Sequence, residues 1–466
     1  MEGTRPASAV GPRLSVMMFL QFFVWGAWYV TVGNFIKAVG WDDGVVGWAY
    51  TVGPLAAIIS PLFLGVVADR FFATERVLGV MHLLGAVTMF LVPIAATGEN
   101  ASPTLFTVLL LAHMLCYMPT LGLTNTLVFH NVTNQEKQFP IIRVFGTLGW
   151  IAANFVVSRM LGADKNETQF YITSVAAALL GVYSFTLPHT PPPAAGQRAK
   201  LADLLGLGSV GMMRSPSFAV FMICSTLICI PLAAYYSFAP IFVDAMEIEN
   251  PAFQMSFGQW SEVGFMIVMP LFFAFLGVKW MLAVGMLAWV VRYGLFAGSA
   301  DDGIYWMILG GILLHGICYD FFFVTGQIYV DKKAPVVLRG QAQGFLVLMT
   351  QGVGLLIGAQ AAAGLVGAYT PSEADPLRKE LQTINSQIDE LPVDSPERGE
   401  LETRKGSISR EVNMLVDWKS VWLYPTVAAG AILLIFLALF RDNGPQHVET
   451  AAGRDVAHSP DQEAPA

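Results

Sequence analysis

The sequence predicts an all-α integral membrane protein with twelve transmembrane helices in two halves of six and both termini cytoplasmic. Three observations predict it. The first is composition: of 466 residues, 55% are hydrophobic and 13% charged, against about 45–50% and about 25% in soluble domains. With a mean hydropathy of +0.57, the chain has too few polar groups to wrap a soluble core. The second is a succession of twelve apolar runs, each near the roughly 20 residues that a membrane span needs. The third is a one-sided placement of Lys and Arg along that succession. Together they exclude a soluble enzyme, a nucleic-acid binder and a disordered chain.

In order, the runs fall at about 16–36, 45–68, 76–97, 104–129, 140–160, 169–188, 216–243, 254–277, 279–298, 304–330, 338–368 and 418–440. The first has no small-residue cleavage site behind it and keeps Trp28 and Tyr29 near its end, so it reads as a retained span. His189-Thr190-Pro191-Pro192-Pro193 ends the sixth run. A polar, basic linker over 189–215 then divides the chain into halves at 1–188 and 216–440. Two six-helix halves facing one another are the plan of secondary transporters with a midplane site.

A second soluble segment interrupts the C-terminal half at 369–417. Asp375-Pro376 and Ser395-Pro396 each resemble an N-cap followed by Pro at the first helical position. Leu377, Leu381, Ile384 and Ile388 then recur at helical spacing, as do Leu401, Ile408, Val412 and Leu415. Two short amphipathic helices are expected, joined at Pro392–Ser395, as a decoration of the outer mouth or a lid. The tail at 441–466 is polar and rich in Pro and Ala, and reads as a disordered cytoplasmic extension.

Orientation follows from charge. The segments on the side of the N-terminus carry Arg5, Arg13, Arg70, Arg76, Lys137, Arg198, Lys200, Arg214, Lys279, Lys332, Lys333, Arg339, Arg441 and Arg454. The opposite short loops carry Lys37 and Lys165, with Arg159 at a helix end, and acids such as Asp42, Asp43, Asp244, Asp301 and Asp302. By the positive-inside rule both termini are cytoplasmic and the 369–417 insert is external. The net charge of −8 comes mostly from one loop and the tail, and says little about partners. Cys116, Cys224, Cys229 and Cys318 all sit in apolar runs and read as small hydrophobes, with no metal-ligand spacing.

Polar residues inside the spans are few, and each needs a partner or a function, because an unpaired charge there costs roughly 2.5–3.5 kcal/mol even on the lenient insertion scale. Arg143, Thr147 and Trp150 share one face of the fifth span at i, i+4 and i+7. That face offers a cation, a hydroxyl and an aromatic plate, or else a helix-packing face opened by Gly146 and Gly149. In the eighth span, Gln259 and Glu262 share a face. They suit recognition of a hydroxylated or heteroaromatic solute, proton carriage, or a structural bond between helices. In the tenth, His315, Tyr319 and Asp320 lie at i, i+4 and i+5. A carboxyl in that apolar run must be paired or protonated: it is a candidate proton carrier, or a permanent ion pair with Arg143 or Arg292. Arg292 itself reads as snorkelling or structurally paired, and His82 and His113 as satisfied interior histidines. Gln21 and Trp25 are candidates for a cavity wall, and Trp28 for an interfacial belt. Pro119 is expected to kink the fourth span beside Thr120, Thr124 and Asn125.

These residues carry a resemblance. Gly65-Val66-Val67-Ala68-Asp69-Arg70 resembles the gating loop of the major facilitator superfamily, with Phe72 in place of its usual glycine. Phe19-Leu20-Gln21-Phe22, Trp25-Gly26-Ala27-Trp28, Tyr117 to Thr126, Arg143 to Trp150, Gln259 with Ser261-Glu262, Ala288-Trp289 with Arg292, Asp320-Phe321-Phe322 and Arg339 to Gly344 together resemble the nucleoside:proton symporters. The likeness covers the whole membrane region and leaves out the insert and tail. It implies a major facilitator fold and a solute pocket built from Arg143, Thr147, Trp150, Gln259, Glu262, Tyr319 and Asp320. His315 stands where the family has a tyrosine. The seventh span, Pro231 to Ser237, lacks the family's two amides, for which Tyr235 or Tyr236 substitutes.

The expectation is therefore a secondary active transporter, not an enzyme: a monomer in a bacterial inner membrane taking up nucleosides with protons. Asp320 and Glu262 are its coupling residues, Gly65, Asp69 and Arg70 its gating motif, and the proton stands in place of any cofactor or metal. No nucleic-acid partner is implied. The competing readings are a proton symporter for another small polar solute, such as a sugar, and a transporter-like membrane sensor. Two titratable acids facing a cavity favour a symporter over a sensor.

Overall fold

The computed structural model describes residues 10–98, 101–192, 207–335, 338–392 and 395–441, and every regular element among them is helical. The expected tail and most of the 189–215 linker lie outside these residues. The described residues begin with α1 (Val10–Tyr29) and α2 (Val32–Val39), where one run of about 16–36 was expected. The break has a local cause: the Thr31 hydroxyl bonds the Trp28 carbonyl and also Gln169 Oε1, at 2.7 Å, across to the sixth span. Next come α3 (Asp43–Phe71), α4 (Thr74–Leu91), α5 (Pro103–Asn131), α6 (Gln135–Asn154) and α7 (Thr168–Ser184). Asp42 caps α3, Ser102 caps α5 and Asn134 caps α6, each by accepting a backbone N–H of the first turn, a donor that has no partner inside the helix. Gly65, Asp69 and Arg70 lie on α3, outside the residues whose side chains are described.

The second half contains α8 (Pro216–Ala245), α9 (Pro251–Ser299), α10 (Tyr305–Leu313), α11 (His315–Cys318), α12 (Thr325–Lys333), α13 (Arg339–Val347) and α14 (Leu355–Ala368). At 49 residues, α9 would run about 74 Å as one rod, far beyond a hydrocarbon core of about 30 Å. It reverses at Gly277, where φ is +64°, a conformation open to glycine and costly for other residues. Among the described residues, a π-helical turn ends the fifth span at Phe155–Met160, and two more interrupt α-helical spans at Tyr319–Val324 and Leu348–Gly354. Such turns cluster at functional sites.

The insert forms α15 (Ala374–Glu390) and α16 (Pro396–Met414) before the last span, α17 (Trp418–Leu439). Ser395 caps α16 through the Arg398 N–H, whereas α15 starts before Asp375, with Glu373 in the cap position. Leu381, Ile384 and Ile388 pack on Ile408 and Val412.

Nine helical stretches among the described residues are long and apolar enough to cross a membrane. Helix α1 packs along α6 and α4 along α7, while α9 packs along α17 and α8 along α14. Between the halves, α3 lies against α14 and α2 against α8. The seam is tight at the end that carries the insert. A Cβ on Gly47 would come within 2.6 Å of the Ala363 Cβ, Gln360 donates to Thr51 at 2.8 Å, and Asn34 donates to the Pro240 carbonyl at 3.4 Å. Val10 and Leu439 begin and end the membrane region at the opposite end.

Close packing of α1 on α6 depends on Gly149, because a Cβ there would run into the Phe19 carbonyl oxygen. Gly149→Val is expected to cost about 1–3 kcal/mol by overpacking and to lower the thermal unfolding midpoint in detergent. Gly364→Val, at a position with open space around it, should leave the midpoint within a degree or two.

Candidate functional site

A cavity of about 290 Å³ lies between the halves, at the lower end of the roughly 300–1,000 Å³ usual for small-molecule sites. Helices α1, α5 and α6 form one side. The other is formed by α8, α9, α11, the Tyr319–Val324 turn and the Leu348–Gly354 turn. Eight of the nine residues that the sequence nominates for the site line it: Arg143, Thr147, Trp150, Tyr236, Gln259, Glu262, His315 and Tyr319.

Arg143 is the half-buried cation of the wall. Its guanidinium carbon lies 4.1 Å from the centroid of the Phe22 ring. It forms neither a hydrogen bond nor an ion pair with any described residue. A stacked guanidinium retains its donors in the ring plane, so Arg143 is held in place with its hydrogen-bonding capacity unspent. One helical turn on, Thr147 and then Trp150 continue the same face.

Opposite stand Gln259, Glu262 and His315. The His315 Nε2 to Glu262 Oε2 distance is 3.9 Å, beyond hydrogen-bond range. Gln259 Oε1, His315 Nδ1, Trp25 Nε1 and Trp150 Nε1 are enclosed and have no partner. The wall thus holds several unspent donors and acceptors, each of which a polar solute would satisfy.

Aromatic rings fill the rest. Trp25 meets Trp150 edge-on at 5.5 Å, Tyr29 meets Tyr236 at 6.2 Å, and Tyr319 meets Phe323 at 5.4 Å. The Tyr29–Tyr236 contact carries the aromatic lining from one half to the other.

Asp320 behaves differently. It is fully buried and is not part of the cavity wall. One residue after Tyr319, at the start of the π-helical turn, it is turned away from the His315–Tyr319 face by about a quarter turn of helix. Neither carboxyl oxygen has a hydrogen-bond partner. An ionised carboxylate there, without a partner, costs several kcal/mol, so the group is neutral or paired. The alternative reading of Asp320, a permanent ion pair with Arg143 or Arg292, is not seen among the described residues. Arg292 is fully buried rather than snorkelling. It donates from Nε to the Gly311 carbonyl at 3.0 Å and lies over the Tyr235 ring at 4.0 Å, and Tyr235 in turn stacks on His315 at 5.7 Å. It therefore supports the wall from behind.

Other expectations also resolve. Trp25 and Asn125 line the cavity. Gln21 does not: it donates to Thr120 at 2.7 Å and meets His82 Nε2 at 2.8 Å. Trp28 is buried edge-on to His113 at 6.0 Å, not in an interfacial belt. His113 Nδ1 meets the Gly85 carbonyl at 2.9 Å. Pro119 lies inside α5. The cysteines are free.

Sequence reasoning missed Tyr29 and Gln351 on the wall. Tyr29 sits at the end of α1, where the sequence offers it only as a mark of a retained span. Gln351 is an uncharged amide in a glycine-rich stretch that reads as helix packing. An amide inside an apolar run was the signal available. A larger open groove of about 660 Å³ lies between α15 and the first half and shares no residue with this site.

An all-helical, two-halved membrane protein with a polar and aromatic cavity between the halves is a transporter of the major facilitator type rather than an enzyme. The known proteins that the chain resembles agree. A family model described as "Nucleoside H+ symporter" matches residues 9–387. The chain is 42% identical over 354 residues to a putative nucleoside transporter, YegT, of Escherichia coli, covering 74% of this chain and 82% of that one. It is 28% identical over 464 residues to the nucleoside permease NupG of the same organism, covering 96% and 99%. The crystal structure of the nucleoside transporter NupG superposes with a TM-score of 0.76 at 26% identity, covering 93% of this chain and 100% of that one. The chain belongs to the nucleoside H+ symporter family.

Proposed function

We propose that this chain takes up nucleosides together with protons across a bacterial inner membrane, as a monomer with twelve spans, cytoplasmic termini and an external insert. The twelve spans are the nine apolar stretches with α9 divided at Gly277, together with α3 and the 17-residue α7. The Lys/Arg bias supports the orientation. The observation that carries the solute assignment is the pairing of unspent polar groups with aromatic plates in one cavity. A nucleoside has the same two characters: a flat base that stacks, and a ribose that hydrogen-bonds.

In this reading Trp150 and Tyr319 flank the base, a contact that every base accepts because each has a π-face. Gln259, Gln351 and Asn125 present amides to its edge, and Tyr236 closes the remaining side. Arg143, Thr147, Glu262 and His315 meet the ribose hydroxyls. With no amide on Pro231 to Ser237, Gln351 supplies the one on the neighbouring wall. A sugar would use the polar groups and leave the plates idle, so the aromatic lining favours a nucleoside.

Glu262 and Asp320 are the two acids available for coupling. Glu262 reaches the cavity and Asp320 lies one layer behind it. Arg143 is free in this state and is the cation that either acid meets when it loses its proton. Loading a proton removes that attraction and lets the halves rock.

Three measurements test these assignments. Trp150→Ala and Gln259→Ala should each weaken nucleoside binding about tenfold by calorimetry on detergent-solubilised protein; binding of sugars alone, with nucleosides never bound, would refute the solute class. Asp320→Asn should abolish uncoupler-sensitive accumulation in proteoliposomes while exchange across the membrane persists. Retained accumulation would move the coupling role to Glu262. Ser386→Cys should react with an impermeant thiol reagent added outside intact cells and Ala195→Cys should not; the reverse pattern would invert the topology.

A further inference from the structure

The insert is bonded to both halves of the transporter. It belongs covalently to the second half, between α14 and α17. Its second helix is fixed there: Asn413 donates to Asp244 of α8 at 3.3 Å, and the Trp418 indole donates to the Asn413 carbonyl at 2.7 Å. Its first helix reaches across to the other half. Arg378 of α15 pairs with Asp43 of α3 at 2.9 Å. Gln382 donates to the Gly40 carbonyl at 3.0 Å and Asn385 to the Ala38 carbonyl at 3.1 Å. From the first half, Lys165 returns the grip by pairing with Asp244 at 2.9 Å.

We propose that the α15–α16 hairpin is a clamp that holds the insert end shut and must let go of the first half once in every transport cycle. Any rocking that opens this end separates α3 from α14, and α15 moves with α14. The Arg378–Asp43 pair and the two amide–carbonyl bonds then have to break together. The pair is no rim contact of negligible strength: Asp43 is 3% exposed and Arg378 16%, so solvent screens it far less than a surface ion pair. Asp43 also keeps a second partner, Lys37, at 2.8 Å and 1% exposed. Removing Arg378 therefore leaves no buried acid without a cation. The clamp is tuned to release: the charge that stays behind remains paired.

The gate behind the clamp offers a reporter. Thr51 is 2% exposed and sits on the α3–α14 seam, bonded to Gln360. With the four native cysteines replaced by alanine, Thr51→Cys should react slowly with a maleimide in detergent without added solute. Adding Arg378→Gln should raise that rate about fivefold or more, within the range of ordinary coupling free energies. Gln382→Ala with Asn385→Ala, which changes no charge, should raise it in the same direction. Ala177→Cys, fully buried inside the first half, should stay unreactive in every background, which separates gate opening from unfolding. Unchanged Thr51→Cys labelling in both variants would overturn the clamp. So would Ala177→Cys labelling that rises in parallel. Because no solute is present, either result is independent of which solute is carried.

Discussion

In hydrocarbon, a polar group without a partner costs several kcal/mol, and that penalty shapes the whole molecule. It puts the backbone of the spans into helices, the regular elements found throughout the described residues. It also makes each exception informative. Gln21, Thr120, His82 and Tyr117 form a closed set of bonds in the first half, and that half needs nothing more from them than packing. Arg143, Gln259 and His315 remain open, and they share a cavity with aromatic rings. Open polar groups are found elsewhere too, as on Arg292 and Asn154, and what sets Arg143, Gln259 and His315 apart is that a solute in the cavity can reach them.

The same penalty gives coupling a physical basis. Arg143 is stacked on Phe22 and is bonded to no described acid. Asp320 is sealed behind Tyr319 with both oxygens free. In the proposed coupling, the free Arg143 of the wall and the unpaired Asp320 behind it define a choice: the acid is neutral and the halves are independent, or it is charged and needs the cation. Arg292, buried over Tyr235, props up the wall on which this choice is made. At the insert end the logic is reversed. Asp43 holds two cations, so its bonds keep the halves together until one cation leaves.

Much of this was legible in the sequence. Apolar runs and helix periodicity place the spans, and i, i+4 and i, i+3 spacing groups Arg143 with Thr147 and Gln259 with Glu262. Those pairs reach the cavity because helical faces are set locally. What was not legible depends on register and on neighbours. The π-helical turns at Tyr319–Val324 and Leu348–Gly354 leave no mark in composition, and one of them presents Gln351. Asp320 draws attention as a buried acid, yet the step of one residue from Tyr319 puts it behind the wall. Gln21 and Trp25 share one face of α1, but only Trp25 reaches the cavity, because Thr120 and His82 claim the amide. The bonds of Arg378 and Lys165 across the halves are long-range contacts that no local pattern encodes.

The central claim is that the unspent polar groups of this cavity bind a nucleoside and carry a proton with it. The direct measurement is of proton movement itself. Proteoliposomes in weakly buffered medium, with no imposed gradient and with charge movement shunted by valinomycin and potassium, are given a nucleoside outside. The account predicts that the external medium turns alkaline as nucleoside enters, and that Glu262→Gln and Asp320→Asn together remove the signal. Nucleoside entry with no accompanying pH change in the unaltered protein would contradict it.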